Sequence, residues 1–507
     1  MHKVIFLSVP YCEPYPMVAP VLLSACLNQA GISALGIDFN IKFVNEFHTR
    51  PWFSDLKNFL CMGHLINVNI GHKAIKEVYK FTKNFLKNLH DQHNPEYIGL
   101  SIFTSESLDF GLVLCYILRK YFPNTKIIAG GKGLEVNQTD GKKHYHHWEE
   151  NSIADLIIIG DAESEIIHSI QQNKTGLVTS QPQNKTDLDK IPVAEWHSYD
   201  LELYSNLSHT RNQQSYDVEP YISVTSSKGC VRKCTFCDVA SFWPEFIYRD
   251  PIRVADEIIH NYRHTGIKSF QFTDNLINGS ISNYRTLNQR LVEIIPNTIK
   301  YGGYAIFRGK NQMPEDDFRL AAQAGCSSWS VGVESGSEKV RYDMKKKFTN
   351  DDIDWSVNTL YKYNISQEWL LIVGYPSETE TDFEETKKLL RRYAHLAPSK
   401  KIKIGITPTF ALLANSPLLT NNSMSDYYGL EHNHQDSLSQ KFWTSTRYLD
   451  NNYPARSRRW KELVGLCEEL GYHFSNGMPL DKWRNEITSL DQIYNDQKTP
   501  VFSIRTS

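Results

Sequence analysis

The segment Gly229-Cys230-Val231-Arg232-Lys233-Cys234-Thr235-Phe236-Cys237 places three of the nine cysteines of the chain within eight residues. It directly follows the apolar run 221–225, which predicts a strand. The three thiols are therefore expected in the loop at the C-terminal end of that strand. Three thiolates can hold three irons of a cubane cluster and leave the fourth iron open, whereas electron-transfer clusters usually have four cysteines. The spacing indicates an iron–sulfur cluster that binds a substrate or a cosubstrate.

A zinc site is the alternative for the same three cysteines. Structural zinc takes four nitrogen or sulfur ligands, and no Cys or His stands between Cys237 and His260. Because the fourth ligand is absent from the neighbouring sequence, the cluster is the favoured interpretation.

The sequence beyond the cysteines alternates strand and helix patterns. One helix is expected to begin at Asp250-Pro251 and to end at Gly266, and another to begin at Pro314 and to end at Gly325. Repeated strand–helix units predict a partial parallel (β/α)6 barrel. The six strand candidates are 221–225, 269–273, 300–305, 328–333, 369–373 and 403–407.

The residues before the cysteines predict a second α/β architecture. Their strand candidates are continuous apolar runs, as in a parallel sheet that is covered on both faces. This favours a doubly wound, Rossmann-like sheet. The predicted domains are a Rossmann-like domain at 1–178 with a helical insertion at about 47–94, a linker at 179–215, the barrel at 216–419 and a small helical region at 420–507.

Composition excludes several classes of protein. The 507 residues are 41% hydrophobic and 22% charged, as in soluble globular proteins. Lys and Arg number 55 against 57 Asp and Glu, so no overall positive charge favours nucleic-acid binding. No stretch resembles a membrane span or a signal peptide. A cytoplasmic protein without membrane or nucleic-acid partners is expected.

The cysteine spacing Cys-x3-Cys-x2-Cys, with Phe236 before the last cysteine, resembles the signature of the radical S-adenosylmethionine (radical SAM) superfamily. The resemblance extends over about 219–419. Further stretches stand in family order at 248–251, 272–275, 332–336 and 374–379, although Tyr375 and Ser377 replace the Leu and Gly that are common in the family.

The resemblance implies a 4Fe-4S cluster, S-adenosylmethionine and a 5′-deoxyadenosyl radical that abstracts hydrogen from a substrate. An external one-electron donor, flavodoxin- or ferredoxin-like, is implied as well. The cluster ligands would be Cys230, Cys234 and Cys237. The residues expected around S-adenosylmethionine are Phe236 and Val373-Gly374 near the adenine, Thr273-Asp274 near the methionine moiety, and Glu334 as an acceptor for ribose hydroxyls or the amino group.

The first domain resembles the cobalamin-binding domain that is fused to many radical SAM enzymes. The resemblance implies hydroxyl donors at Ser101 and Thr104 and a close backbone approach at Gly130-Gly131. The loop 10–15 lacks the Asp-x-His-x-x-Gly motif that supplies a lower axial ligand in other cobalamin proteins. The alternative is a Rossmann-like domain that binds another ligand or none.

Together these features predict a cobalamin-dependent radical SAM C-methyltransferase that acts on a small-molecule or peptide substrate. The candidate catalytic residues are Asp274, Glu334 and Arg308, and Arg308 would hold a substrate carboxylate or phosphate unless it forms a structural ion pair. The alternative is an oxidative cyclase or a ring-rearranging enzyme with the same two domains. A methylthiotransferase is less favoured. Its second cluster would need three cysteines in the first domain, and Cys12, Cys26, Cys61 and Cys115 do not stand in the sequence surroundings of that family.

Overall fold

The computed structural model describes residues 2–11, 15–53, 56, 71–104, 107–136, 142–211, 219–431, 439–475 and 480–498. These residues fall into two compact units. The first unit is Met1–Ser226 with Ile247–Gln271, and the second is Ser227–Phe246 with Phe272–Ser507. Within the described ranges, no helix has the length and apolar character needed to span a membrane.

Strands and helices alternate along the part of the chain before the cysteines. The elements are β1 Val4–Ser8, α1 Val18–Gln29, β2 Ala34–Ile37, α2 Phe39–Phe47, α3 Gly71–His93, β3 Tyr97–Ser101, α4 Leu108–Tyr121, β4 Lys126–Gly130, α5 His144–Glu150, β5 Leu156–Ile159, α6 Glu165–Gln171, β6 Gly176–Thr179, α7 Lys185–Lys190, α8 Leu201–Arg211 and β7 Tyr221–Val224.

The same alternation continues to the last described residue. The elements are β8 Ser227–Lys228, α9 Val239–Phe242, β9 Ile247–Tyr248, α10 Pro251–Thr265, β10 Ser269–Phe272, α11 Ile281–Ile294, β11 Lys300–Ala305, α12 Glu315–Gln323, β12 Cys326–Glu334, α13 Glu338–Asp343, α14 Asn350–Lys362, β13 Ser366–Leu371, α15 Glu380–Tyr393, β14 Ile402–Ile406, α16 Pro417–Thr420, α17 Asn422–Tyr428, β15 Leu430–Glu431, α18 Ser439–Phe442, β16 Thr444–Ser445, α19 Tyr453–Glu469, β17 His473–Phe474 and α20 Leu480–Lys498.

The first unit contains a six-stranded parallel sheet in the order β2-β1-β3-β4-β5-β6. Its inner strands are apolar at consecutive positions because helices cover both faces, and Ile98, Ile127 and Leu156 are at most 2% exposed. The predicted doubly wound sheet is confirmed. The strand order reverses direction between β1 and β3, and ligands of such sheets bind beyond the strand ends at that point.

Two predicted segments of the first unit, the linker and the helical insertion, both contain helices. The segment 179–215, expected as a linker, contains α7 and α8. Trp196, Tyr199 and Tyr204 in this segment are buried, so a few aromatic residues anchor it despite its polar composition. In the expected insertion at 47–94, α3 stacks Phe85 on Phe39 of α2, whereas residues 54–55 and 57–70 lie outside the described residues.

The second unit contains the parallel strands β11 to β14 and β17 in the order β17-β14-β13-β12-β11. The other two strands predicted for the barrel, β7 and β10, are neighbours in the sheet. All six predicted strands are therefore present. Along β12, Trp329, Val331 and Val333 are fully buried, whereas the alternate residues Ser330 and Gly332 are partly accessible.

The ends of helix α10 lie at the capping residues that the sequence predicts. Asp250 caps α10 by accepting hydrogen bonds from the amides of Ile252 and Arg253, and Gly266 ends this helix with a φ of 74°. The region 420–507, expected to be helical, contains α17 to α20 but also pairs β15 with β16 and adds β17 to the parallel sheet beside β14.

Candidate active site

The cysteine loop, residues 229–237, holds the three clustered thiols half-buried and without disulfides. Cys230 Sγ accepts a hydrogen bond of 3.3 Å from the amide of Arg232. Burial raises the pKa of Cys234 and raises that of Cys237 to about 11, and the charges of the neighbouring cysteines contribute in the same direction. The three thiols are therefore close enough to interact electrostatically.

The arrangement of donor groups bears on which metal the loop would hold. In the described part of the chain, no group of three or more His, Cys, Asp or Glu side chains converges so as to hold one metal ion. The thiolates that bind a cubane cluster are attached to different irons, so they do not need to converge on one point. The spacing of the three half-buried thiols fits a cluster with three protein ligands.

The cysteine loop is tied to the loop that follows β13. The hydroxyl of Tyr375 lies 2.8 Å from that of Thr235, between Cys234 and Phe236, and donates to the hydroxyl of Tyr428 at 3.0 Å. Phe236 packs against the apolar cluster that contains Tyr375. Ser377, the second departure from the family pattern, donates to Asp343 at 2.6 Å. Both departures therefore make specific hydrogen bonds.

Glu334 ends β12 with its carboxylate folded back over the strand. Its φ of 65° is unusual for a residue with a side chain. Lys346 Nζ donates to Glu334 Oε1 at 2.9 Å, and both side chains are less than 10% exposed. Burial lowers the pKa of Lys346, but the charges of Glu334 and Cys234 outweigh this effect and raise it. The ion pair therefore lies beside the cysteine loop.

Asp274 follows β10 and is 1% exposed. Its Oδ1 accepts a hydrogen bond from Ser227, two residues before Gly229. Asp274 therefore contacts the start of the cysteine loop. The preceding Thr273 is exposed.

Arg308 follows β11 and binds backbone carbonyls rather than an acid. Its Nη2 donates to the carbonyl oxygens of Asn278 and Gly279 at 3.0 Å each. Burial and then the positive charge of Arg232 lower the pKa of Arg308 to about 10, against the opposing effect of Cys230. The structural ion pair considered for Arg308 does not occur with any described residue.

Gly374 lies where the backbone is crowded by the C-terminal part of the second unit. Its amide donates to Glu378 at 2.8 Å, and at its φ of 88° a Cβ atom would lie 2.2 Å from Arg456 Cδ. The preceding Val373 is 1% exposed, and its carbonyl accepts the amide of Phe410 at 3.3 Å. These two residues therefore form a hydrogen-bonded turn.

In the first unit, Ser101 ends β3 and its strand register places it opposite Gly130 at the end of β4. Gly131 has a φ of 115°, and a Cβ atom there would lie 2.3 Å from the carbonyl oxygen of Ile102, so the close approach is made to the protein's own backbone. The hydroxyl of Thr104 is buried and has no hydrogen-bond partner in the described structure.

Sequence reasoning missed several side chains at the two sites. Lys346 is one of three consecutive lysines and carries no motif, and only the fold brings it to Glu334. Arg232 lies between two cysteines and belongs to no recognised motif. Arg456 and Arg459 lie about 80 residues after the turn that they contact, so no local pattern links them to it. Cys26 and Cys115 are buried in α1 and α4, and Cys12 and Cys61 lie outside the described residues.

Comparison with known proteins bears on the part of the chain that contains the cysteine loop. Residues 224–390 match the model of the Radical SAM superfamily. This part of the chain is a radical SAM domain. The match contains the cysteine loop, Asp274, Glu334 and the turn at Gly374.

Relatives of the radical SAM domain catalyse different reactions. The chain is 27% identical over 221 residues to cytidylyl-2-hydroxyethylphosphonate methyltransferase of Streptomyces wedmorensis, which covers 43% of this chain and 40% of that protein. It is 22% identical over 310 residues to anaerobic magnesium-protoporphyrin IX monomethyl ester cyclase of a Synechocystis strain, which covers 58% of each chain. The chain thus spans about half the length of these curated relatives.

A solved structure resembles the chain over nearly its whole length. TsrM from Kitasatospora setae, a radical S-adenosylmethionine methyltransferase with cobalamin and a 4Fe-4S cluster bound, aligns with a TM-score of 0.61 over 98% of this chain and 100% of its own, at 13% identity. It has also been solved with tryptophan as substrate and an S-adenosylmethionine analogue, at 15% identity. The two proteins share their fold over this length.

Proposed function

We propose that the protein is a cobalamin-dependent radical SAM enzyme that transfers a methyl group to a carbon atom of a small-molecule substrate. The observation that carries this proposal is the set of three interacting thiols beside the buried pair Glu334–Lys346, within the radical SAM domain. A doubly wound unit with an unsatisfied hydroxyl at its strand ends supports the cobalamin part of the proposal.

The residues present fit a cluster and S-adenosylmethionine. Cys230, Cys234 and Cys237 would hold the cluster, and when bound it supplies the electron that cleaves S-adenosylmethionine. Lys346 donates to one carboxylate oxygen of Glu334 and fixes the carboxylate in place. The other carboxylate oxygen of Glu334 can accept hydrogen bonds from a ribose or an amino group. Tyr375 holds Thr235, and thereby the cysteine loop, in a fixed position. Substrate reaches the site from the C-terminal strand ends, as in other barrels.

In the first unit, Ser101 and Thr104 would donate hydroxyls to a corrinoid beyond the ends of β3 and β4. A corrinoid there would supply the methyl group. The electron would come from an external flavodoxin- or ferredoxin-like donor. The substrates named for the similar proteins, tryptophan and a cytidylylated phosphonate, both favour a small molecule over a macromolecule as the substrate.

An oxidative cyclase is the second candidate. The match to the protoporphyrin ester cyclase covers more of this chain than the match to the phosphonate methyltransferase does, at 58% against 43%. The two proposals differ in whether the methyl group of S-adenosylmethionine is transferred.

The test begins with protein that is purified anaerobically and reconstituted with iron, sulfide and hydroxocobalamin. We expect a broad cluster absorbance, about four irons and about one corrinoid per chain. The triple variant Cys230→Ala/Cys234→Ala/Cys237→Ala should lose the cluster, whereas Cys467→Ala, a buried cysteine elsewhere in the second unit, should keep it.

S-adenosylmethionine with an isotopically labelled methyl group then separates the two candidates. A strong chemical reductant is included, because hydroxocobalamin must be reduced before it can accept a methyl group and because cleavage of S-adenosylmethionine needs an electron. A methyltransferase should then place the label in the corrinoid fraction without any added substrate. Cleavage to 5′-deoxyadenosine without label in the corrinoid fraction would favour the cyclase, and a chain that retains no corrinoid would contradict the cobalamin proposal.

A further inference from the structure

A row of polar side chains crosses the parallel sheet of the second unit. The strand register aligns Tyr304 of β11 with Ser330 of β12, and Ser330 with Glu368 of β13. It also aligns Glu368 with Lys403 of β14, and Lys403 with His473 of β17. Residues directly opposite each other on neighbouring strands point to the same face of a sheet. The five side chains therefore share one face, and these residues are named the inner row.

The inner row lies on the face of the sheet opposite to helices α12 and α15. On the helix-covered face, Trp329 of β12 and Trp369 of β13 are fully buried and pack against aromatic rings of these helices. Because successive side chains of a strand alternate between faces, the neighbouring Ser330 and Glu368 point away from the helices. The side chain of Tyr304 is 50% exposed, and the other residues of the row are half-buried. A ligand can therefore reach the inner row.

The inner row carries a carboxylate and an ammonium group on neighbouring strands. Glu368 accepts a hydrogen bond of 2.5 Å from Ser330, and it forms no ion pair with any residue in the described ranges. Burial lowers the pKa of Lys403, and the charge of Glu368 opposes this effect. Partial burial raises the pKa of Tyr304, and the charge of Glu368 adds to this effect. The carboxylate therefore lies near both a cation and an accessible aromatic ring.

The spacing of the two charges favours one class of ligand. Neighbouring strands lie about 4.8 Å apart, so Glu368 and Lys403 present opposite charges at a spacing that suits the ammonium and carboxylate groups of an α-amino acid. Charged groups in a partly buried site are stabilised by pairing, and a zwitterion provides a partner for each of the two side chains. The ring of Tyr304 near the carboxylate also favours a cationic group there.

The inner row is separate from the residues at the strand ends. Ser330 precedes Glu334 by four residues on β12, which corresponds to about 13 Å along the strand. A molecule that is held at the row by its main-chain charges can therefore extend its side chain along the sheet toward Glu334.

We propose that the inner row binds the ammonium and carboxylate groups of an α-amino acid, with Glu368 as the partner of the ammonium group and Lys403 as the partner of the carboxylate. The statement that this amino acid is the substrate rests on the proposed function. The methyl group would then be transferred to a carbon atom of the side chain, because the main chain is held at a distance from the strand ends.

The test is a calorimetric titration of the reconstituted protein with each of the twenty proteinogenic L-amino acids. Saturating S-adenosylmethionine fills the cosubstrate site, and reductant is omitted so that no turnover occurs. We expect at least one amino acid to bind. The amine that lacks its carboxylate and the acid that lacks its amino group should each bind at least about tenfold more weakly, since each loses one charge-assisted contact. Absence of binding by all twenty amino acids, or equal affinities for the three related molecules, would overturn the proposal.

Two variants assign the partner of each charge. Glu368→Gln should weaken binding of the amino acid and the amine at least about tenfold and leave binding of the acid unchanged, whereas Lys403→Gln should weaken the amino acid and the acid and spare the amine. Glu385→Gln and Lys388→Gln are the matched controls, because these residues form an exposed ion pair on α15. Circular dichroism and iron content establish that each variant is folded and loaded.

Affinities that neither inner-row variant changes would also overturn the proposal. If a variant does not fold, the comparison of the three related molecules on the unmodified protein still decides the outcome. Binding is measured without reductant and therefore independently of label transfer to the corrinoid, so failure of the inner row and failure of the proposed function can be told apart.

Discussion

Glu334 combines two features that each cost free energy. Its φ of 65° lies in the left-handed region, and the amide of Ser335 donates to the carbonyl of Val333 at 2.8 Å to close a three-residue turn around it. Its carboxylate is buried, which is unfavourable unless a cation is nearby. Lys346 supplies that cation. Strain of this kind is maintained at functional sites, and here the strained residue forms an ion pair with a lysine whose pKa is affected by Cys234.

Replacement of Lys346 by Met should therefore destabilise the protein strongly. The change leaves Glu334 as an unpaired buried charge, and breaking a buried pair in this way costs about 3–5 kcal/mol. Denaturant unfolding measures the effect. Lys345→Met, at the exposed lysine that precedes Lys346, should change little. If both variants unfold at the same denaturant concentration, the ion pair has no structural role.

Tyr375→Phe tests whether the departure from the family pattern positions the cysteine loop. The change removes the hydroxyl that interacts with Thr235, Tyr428 and the carbonyl of Asp343. Loss of buried hydrogen bonds should cost about 1–3 kcal/mol, and the loosened loop should hold less iron after reconstitution. Tyr427→Phe, at an exposed ring beside Tyr428, is the control. Equal iron content in the two variants would argue against a positioning role.

At the scale of elements, the sequence predicted strands better than it predicted contacts between distant segments. The inner strands were evident because burial on both faces makes them continuously apolar, and helix ends were evident from local residues such as Asp250-Pro251. The contacts of α19 with the turn after β13 were not, because Arg456 and Glu378 carry no local pattern that links them. The helices within the predicted linker 179–215 were not evident either, since its polar composition masks the few buried aromatic residues.

The α19 contact also predicts a pH dependence. Burial raises the pKa of Glu378 to about 7 from 4.5, although Arg459 and the Gly374 amide oppose this. The folded protein thus keeps a proton that the unfolded chain releases between these values, so stability is highest below about pH 4.5 for this group and falls as pH rises to 7. The contribution is at most about 3 kcal/mol.

Unfolding by urea between pH 5 and 8 measures this effect. Glu378→Gln can still accept the amide of Gly374 and should flatten the decline with pH. Glu380→Gln is the control, because Arg458 and Arg459 lower the pKa of that half-exposed carboxyl, so its stabilisation is lost only as pH falls. A slope that is identical in Glu378→Gln and the unmodified protein would show that Glu378 does not titrate in this range.

At the scale of the whole molecule, the candidate ligand groups are divided between two units. The cysteine loop and Glu334 belong to the second unit, and Thr104 with the ends of β3 and β4 belongs to the first. Each set is built from side chains of its own unit. Loading of the cluster and loading of the corrinoid should therefore be separable by substitution.

Two variants test this separation. Cys230→Ala/Cys234→Ala/Cys237→Ala should lose the cluster and still retain about one corrinoid per chain, because all three cysteines belong to the second unit. Thr104→Val keeps the side-chain shape but removes the hydroxyl, and loss of one hydrogen bond of about 1.4 kcal/mol should weaken corrinoid binding about tenfold. Thr179→Val, at an exposed threonine of the same unit, should leave corrinoid binding unchanged.

Equilibrium dialysis with hydroxocobalamin, read together with iron content, measures both cofactors in one sample. Loss of both cofactors in either variant would mean that the two sites do not load independently, and equal corrinoid affinity in Thr104→Val and Thr179→Val would remove Thr104 from the corrinoid site.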